Sequence, residues 1–289
     1  MRSTLGRVVF SASVLLSPSS WAGPWDQPRA LVFGEGSNWV VVEANSYSVE
    51  RVELPLKTAD TLAVSADRRK FAAVAPSGHD GQQGLWTWSR GQHAPTQIAS
   101  EVGRYSDPTF EARGEWLYFS HGPSNGIHNM FGLYAQLFRV HPDGSGLRRM
   151  TDEVGCHYSA TLTASRRLTY VHSSCSGTSW VKRADDKRRA EVLVSAVGSI
   201  AEASTAPDAS GVLYVGAAPD TFDLNEARKA DVSPRLIARL PRNMLQVRPQ
   251  YGKSRNEILY QGDGTVWLWR NGVTVPLVSL SPPVQEAFR

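Results

Sequence analysis

Tyr105 to Ser120 reads YSDPTFEARGEWLYFS, and beyond an insertion Ala135 to Asp152 reads AQLFRVHPDGSGLRRMTD. Three short apolar runs lie in this stretch: Trp116-Leu117-Tyr118-Phe119, Leu137-Phe138-Arg139-Val140 and Leu147 to Met150. They are too short for helices and rich in the aromatic and β-branched residues of strands. The segment His141 to Gly146, HPDGSG, supplies Asp-Gly and a second glycine, which is hairpin chemistry. With a preceding run through Pro108-Thr109-Phe110, the stretch predicts one four-stranded antiparallel sheet.

The pattern recurs. Leu168-Thr169-Tyr170-Val171, Val212-Leu213-Tyr214-Val215 and Ile258-Leu259-Tyr260 repeat the Trp116 run, with a tyrosine at the same place each time. Phe71-Ala72-Ala73-Val74 is a weaker copy, and Ala30-Leu31-Val32-Phe33 is the first. The copies start at 30, 71, 116, 168, 212 and 258, giving spacings of 41, 45, 52, 44 and 46. A period of roughly 40 to 50 residues with four strands per unit marks a propeller blade. One such sheet cannot bury both faces, whereas a ring of them can. The chain is therefore expected to be all-β, a six-bladed β-propeller of four-stranded antiparallel blades in one domain, residues 23–289.

The blades start near residues 29, 58, 105, 156, 199 and 243. Blade one shows only three strands, Leu31 to Phe33, Trp39 to Glu43 and Val49 to Leu54, and lacks the innermost. The tail Ser281 to Arg289 contains Val284 to Phe288, which is expected to supply that strand and close the ring. In blade five, Asp220 to Asp231 reads more like a short helix or loop than a third strand. Blade six has an inner strand at Leu245-Gln246-Val247 and a hairpin turn at Asn271-Gly272.

Residues 1–22 read as a signal peptide: Arg2 and Arg7 form a basic start, Val8 to Leu16 an apolar run, and Ser20-Trp21-Ala22 a cleavage site. The run is too short to span a bilayer. Export to a bacterial periplasm is expected, leaving no transmembrane segment after cleavage and a monomeric mature chain. Without Arg2 and Arg7 the chain carries 29 Lys and Arg against 27 Asp and Glu, too balanced for nucleic-acid binding. The cluster Lys182-Arg183 to Lys187-Arg188-Arg189 includes Asp185 and Asp186 and reads as a solvated hairpin turn.

Two segments carry a family pattern. Asp107 to Ser120, D-P-x-F followed by W-L-Y-F-S, and Gln136 to Thr151, Q-L-F-R-V-x-P-D-G-S-G-L-R-R-M-T, resemble the WD40-like repeats of TolB propellers. The resemblance extends over roughly residues 29 to 289 and is faintest in the first two repeats. It implies a six-bladed periplasmic propeller. TolB proper carries an additional N-terminal α/β domain, whereas here only Gly23 to Arg29 separate the signal peptide from the first strand. Related repeats occur in prolyl-oligopeptidase-type peptidases and in oligogalacturonate lyases, so the repeat alone does not assign a function.

Several residues carry chemistry. Cys156 and Cys175 are the only cysteines, an even number in an exported chain. Cys156 precedes the first strand of blade four and Cys175 follows the second. These strands are antiparallel neighbours, so a disulfide is expected. A zinc site is the rival, because His157 adjoins Cys156 and His172 lies three residues before Cys175. His79, His121, His128, His157 and His172 fall on one rim, and His121, His157 and His172 are the metal candidates among them. Histidines are also common on polar loops. There is no second α/β domain to hold a nucleophile elbow, and no glycine-rich phosphate loop, which disfavours peptidase and nucleotide chemistry. No catalytic residue and no cofactor is assigned. Trp86 with Trp88, and Trp267 with Trp269, share sheet faces and read as inter-blade packing. The insertion Gly122 to Tyr134 places Met130, Phe131, Leu133 and Tyr134 on a surface loop, the first choice for a partner contact.

The expected role is a protein–protein interaction module of the cell envelope, binding an envelope protein such as a Pal-like lipoprotein. The alternative is a carbohydrate-active or metal-dependent enzyme using the histidine-bearing rim.

Overall fold

Strand formation follows the repeat. The computed structural model describes residues 23–77, 82–122, 135–165, 167–174, 177–184, 190–228, 233–241 and 246–280. Blade one holds β1 (Ala30–Glu35), β2 (Asn38–Glu43) and β3 (Val49–Val52). Blade two holds β4 (Thr61–Val64), β5 (Lys70–Pro76), β6 (Gln83–Ser89) and β7 (Thr96–Ala99). Blade three holds β8 (Arg104–Phe110), β9 (Leu117–Gly122), β10 (Gln136–Val140) and β11 (Arg148–Arg149). Blade four holds β12 (Cys156–Leu162), β13 (Leu168–Ser173), β14 (Thr178–Ala184) and β15 (Ala190–Val197). Blade five holds β16 (Ile200–Thr205), β17 (Gly211–Ala217), β18 (Thr221–Arg228) and β19 (Arg235–Pro241). Blade six holds β20 (Gln250–Tyr251), β21 (Glu257–Gly262), β22 (Thr265–Arg270) and β23 (Val273–Ser279). Each blade is an antiparallel meander, five of four strands and one of three. Between β22 and β23, Asn271 and Gly272 both take positive φ, 51° and 87°, as a type I′ turn requires.

The apolar core lies in the seams between blades. Leu31, Phe33 and Val40 of blade one pack against Leu259, Val266 and Leu268 of blade six. Val41 packs against Leu62 and Phe71 across the next seam, Val74 against Leu117 and Phe119 across the third, and Leu137 against Leu168 and Tyr170 across the fourth. Val171 and Val181 meet Ile200 and Val212, and Leu213 and Leu224 meet Ile258 and Trp269. All six seams are filled, so the ring is closed by burial, at about 1.5–3 kcal/mol for each fully buried large apolar side chain. Trp88 stacks on its register partner Phe71 within blade two, ring centroids 5.4 Å apart, and shares a buried cluster with Val32 and Val41 of blade one, the inter-blade packing expected of it.

Inner strands carry a repeated kink. Asp107, Ser159 and Arg248 have φ of 50°, 53° and 48°, and each lies two residues before a ladder residue, Thr109, Thr161 and Gln250. The kink turns polar side chains toward the next blade. Asp107 Oδ2 accepts from Ser159 N at 3.0 Å, and Ser159 Oγ accepts from Ala203 N at 2.9 Å. Glu202 accepts from the amides of Val247 and Arg248, and Gln250 Nε2 donates to Val32 O at 3.1 Å. Blades three, four, five, six and one are thus tied in sequence around the channel by side chain to backbone bonds.

The structure corrects two strand assignments. Residues 221–228 form the regular third strand β18 rather than a helix or loop. Their polarity is satisfied by tertiary partners: Glu226 is buried against Arg228 (3.0 Å), Arg235 (2.5 Å) and the hydroxyl of Tyr251 (3.1 Å). The inner strand of blade six begins at Gln250, after Pro249, whose missing N–H cannot join a ladder. In blade one, Ala30 and Val32 of β1 line the channel alongside the inner strands of the other blades. The expected closing segment Val284 to Phe288 and the signal peptide, residues 1–22, lie outside the described residues. Among the described residues, no helix is long and apolar enough to cross a membrane.

Candidate functional site

The channel is the first place to look. A cavity of about 260 Å³ is lined from all six blades and faces Asp107, Glu202, Gln246, Arg248 and Gln250. A second space, about 190 Å³, lies toward the ends of the inner strands beside Pro24 to Leu31. Burial pushes the pKa of Glu202 up, while the Arg248 guanidinium and the amides of Arg248 and Val247 oppose that rise. The acids Asp107 and Glu202 are committed to the amides of the following blade. Their first job is holding the ring together.

The rim where chains enter the inner strands gathers more unusual chemistry. His157 and His172 are register partners on β12 and β13, so both rings leave the same sheet face. Their centroids lie 4.5 Å apart with planes 24° apart, and Trp180 on β14 continues the row at 5.2 Å from His172. His157 is fully buried and His172 nearly so. The turn before β12 brings Glu153 against them, with Oε2 at 3.1 Å from His172 Nδ1. Ligand-capable atoms of Glu153, His157 and His172 all fall within 4.8 Å of one another. Lys182 also contacts Glu153 Oε2.

Local sequence explains the turn. Gly155 has φ of 130°, and a Cβ there would lie 2.6 Å from His172 Nε2. Only glycine lets Glu153-Val154-Gly155 lie this close to the sheet. Gln136 fastens the same turn from blade three, its Nε2 donating to Glu153 O at 3.0 Å.

Burial, then the neighbouring His172, pulls the pKa of His157 down to about 4. Burial and the Lys182 ammonium lower that of His172. Burial works to raise the pKa of Glu153, but Lys182 and His172 outweigh it and hold the carboxyl below its usual range. Near neutral pH the site therefore presents two neutral imidazoles and one carboxylate.

Sequence reasoning placed His157 and His172 here and missed Glu153. The signal was an acid four residues before His157 in the same connection. His121 does not join the group. It stacks against Tyr105 at 4.4 Å, and burial lowers its pKa. Cys156 is buried at the start of β12 and pairs in register with Ser173, one position away from the histidine row, so alternation sends its side chain to the other face. Its expected disulfide partner Cys175 lies outside the described residues, as do His79, His128, Met130, Phe131, Leu133 and Tyr134. Gly122 to Gly126 reads GPSNG and has the Gly-x-Ser-x-Gly spacing. Gly122 ends strand β9, and residues 123–126 lie outside the described residues.

A ring of six antiparallel blades with inter-blade ties from the inner strands defines a TolB-like six-bladed β-propeller. No protein-family model and no curated protein sequence matches the chain. Solved structures do. TolB from Acinetobacter baumannii aligns with a TM-score of 0.63 at 13% identity, over 86% of this chain and 63% of that one. An oligogalacturonate lyase in complex with manganese aligns at 0.59 and 14% identity, over 83% and 73%. Puromycin hydrolase aligns at 0.54 and 14% identity, over 86% and 44%. The chain thus spans 63% of the length of the Acinetobacter TolB. At such identities the likeness shows the fold alone, shared by TolB proteins and by enzymes.

Proposed function

We propose that the protein is an exported propeller that binds another protein of the cell envelope through the rim carrying the Gly122–Tyr134 insertion. The observation that supports this reading is apolar exposure. Val102 and Val154 are 63% and 75% exposed in the two connections that flank the insertion. Exposed valines at the edge where β9 ends and β10 begins suit a partner surface better than a solvated loop. The TolB-like fold agrees with an envelope role, and a Pal-like lipoprotein is the partner proposed. In an oxidising compartment the Cys156–Cys175 disulfide would form across blade four.

The test places a photo-crosslinking residue at Val102 or Val154 in the native envelope and identifies the adduct. An adduct with a peptidoglycan-associated lipoprotein is expected, and it should disappear when Met130 and Phe131 are changed to Ser. Adducts unaffected by that double change would sink the reading.

A carbohydrate-active or metal-dependent enzyme on the same rim is the second reading, favoured by the Glu153–His157–His172 group. Turnover of an oligosaccharide by the purified chain, lost in His172→Gln, would support it.

A further inference from the structure

The hydrogen bonds around the two histidines fix their tautomers. His157 Nδ1 lies 3.3 Å from Ala135 O, and His172 Nε2 lies 3.1 Å from Val154 O. A carbonyl oxygen only accepts, so these nitrogens carry the protons. The other nitrogens, His157 Nε2 and His172 Nδ1, are then bare lone pairs. They are buried and have no hydrogen-bond partner among the described residues.

This arrangement is unfavourable without a cation. His172 Nδ1 stands 3.1 Å from a carboxylate oxygen of Glu153, so two acceptors face each other. A proton or a metal ion between them would relieve that repulsion. The Lys182 ammonium neutralises Glu153 but reaches neither bare nitrogen through any hydrogen bond among the described residues.

We infer that Glu153 Oε2, His157 Nε2 and His172 Nδ1 form a binding site for a divalent transition metal of the zinc class. Two imidazole nitrogens and one carboxylate oxygen make a set suited to Zn²⁺. Ligands about 2.1 Å from a tetrahedral ion stand roughly 3.4 Å apart. The observed spacing, 3.1 Å for one pair and at most 4.8 Å for all, closes to that value with small side-chain shifts. The second shell is built as well: each histidine donates its other N–H to a backbone carbonyl, which sets the ring orientation and raises its basicity. Three protein ligands leave a coordination position for water or a ligand atom.

Lys182 has a specific role. Ammonium and metal compete for the same Glu153 oxygen, so Lys182 neutralises the carboxylate when metal is absent and moves aside when it binds. Bound metal would pin the Glu153-Val154-Gly155 turn, and with it the exposed Val154, to blade four. The ligand geometry is the same whether the rim serves a binding protein or an enzyme.

Isothermal titration of Zn²⁺ into the full exported chain, with His157→Gln, His172→Gln, Glu153→Gln and Lys182→Met beside it, tests the site. A single saturable equivalent is expected. Affinity should fall by more than about tenfold in the histidine and glutamate variants and rise in Lys182→Met. Glu153 is exposed, and methionine keeps the apolar stem of Lys182 within β14, so those two variants keep the test valid even if a buried histidine variant fails to fold. Absence of saturable binding overturns the site. So does an affinity that is indifferent to both Glu153→Gln and Lys182→Met.

Discussion

At the residue scale, Asp208 shows how one carboxylate can hold the segment before the first strand. Trp25 Nε1 and Arg255 Nη2 both donate to its Oδ2 at 2.9 Å, and Ser210 N donates to Oδ1 at 2.9 Å. Trp25 also meets Tyr251 edge-to-face at 5.8 Å, so the segment before β1 is docked on blades five and six. Burial works against ionisation, but Ser210, Trp25 and Arg255 outweigh it and draw the pKa from 3.8 down to about 2. A carboxyl depressed in the folded state stabilises above its unfolded pKa, and that contribution fades as pH falls through the folded value. Asp208→Ala should therefore lower Tm at neutral pH, and its Tm should fall less than that of the parent between about pH 4 and pH 2. Scanning calorimetry over that range checks this, and parallel pH curves would refute the anchoring role. None of this was legible in the sequence, because Trp25 and Asp208 are 183 residues apart.

At the element scale, β18 is the instructive strand. Its sequence TFDLNEAR has few β-branched residues, and local propensity favours a helix or loop. Leu224 is fully buried on the face that also turns Glu226 inward toward Arg228, Arg235 and Tyr251. Those partners come from β18 itself, β19 and blade six, so the strand is specified by tertiary contacts that a local pattern cannot contain. Leu224→Ala should destabilise the domain by about 2–5 kcal/mol, the range for a buried Leu truncation. Chemical denaturation measures it, and a loss under about 1 kcal/mol would mean that the strand packs loosely. By contrast, β9, β13, β17 and β21 were readable directly. Each is a nearly continuous apolar run that is buried on both sides.

At the scale of the whole molecule, closure decides stability. Blades one and six already meet through Phe33, Val42, Leu259 and Leu268, with Leu280 buried in the same cluster. Arg51 Nη2 also donates to Ser279 O at 3.1 Å. The segment from Ser281 onward starts at this seam, and β1 is the strand of blade one that faces the channel. Pairing Val284 to Phe288 with that edge would complete the blade and remove an open strand edge. Truncation after Leu280 should lower the Tm of the entire domain in one cooperative transition. An unchanged Tm would show that the apolar seam alone closes the ring.

The sequence by itself determined the repeat, the number of blades, the all-β class and two members of the Glu153–His157–His172 group. It could do so because the β-blade pattern is local: a short apolar run bounded by turn residues recurs in each blade, with a tyrosine at a fixed place in blades three to six. Only the tertiary structure decided that His157 and His172 face each other in register, that Glu153 joins them, and that Cys156 points away. It alone also showed that the channel acids tie one blade to the next. Those facts depend on which residues from separate turns and strands end up within a few ångströms, and that is set by strand register and blade packing rather than by neighbours along the chain.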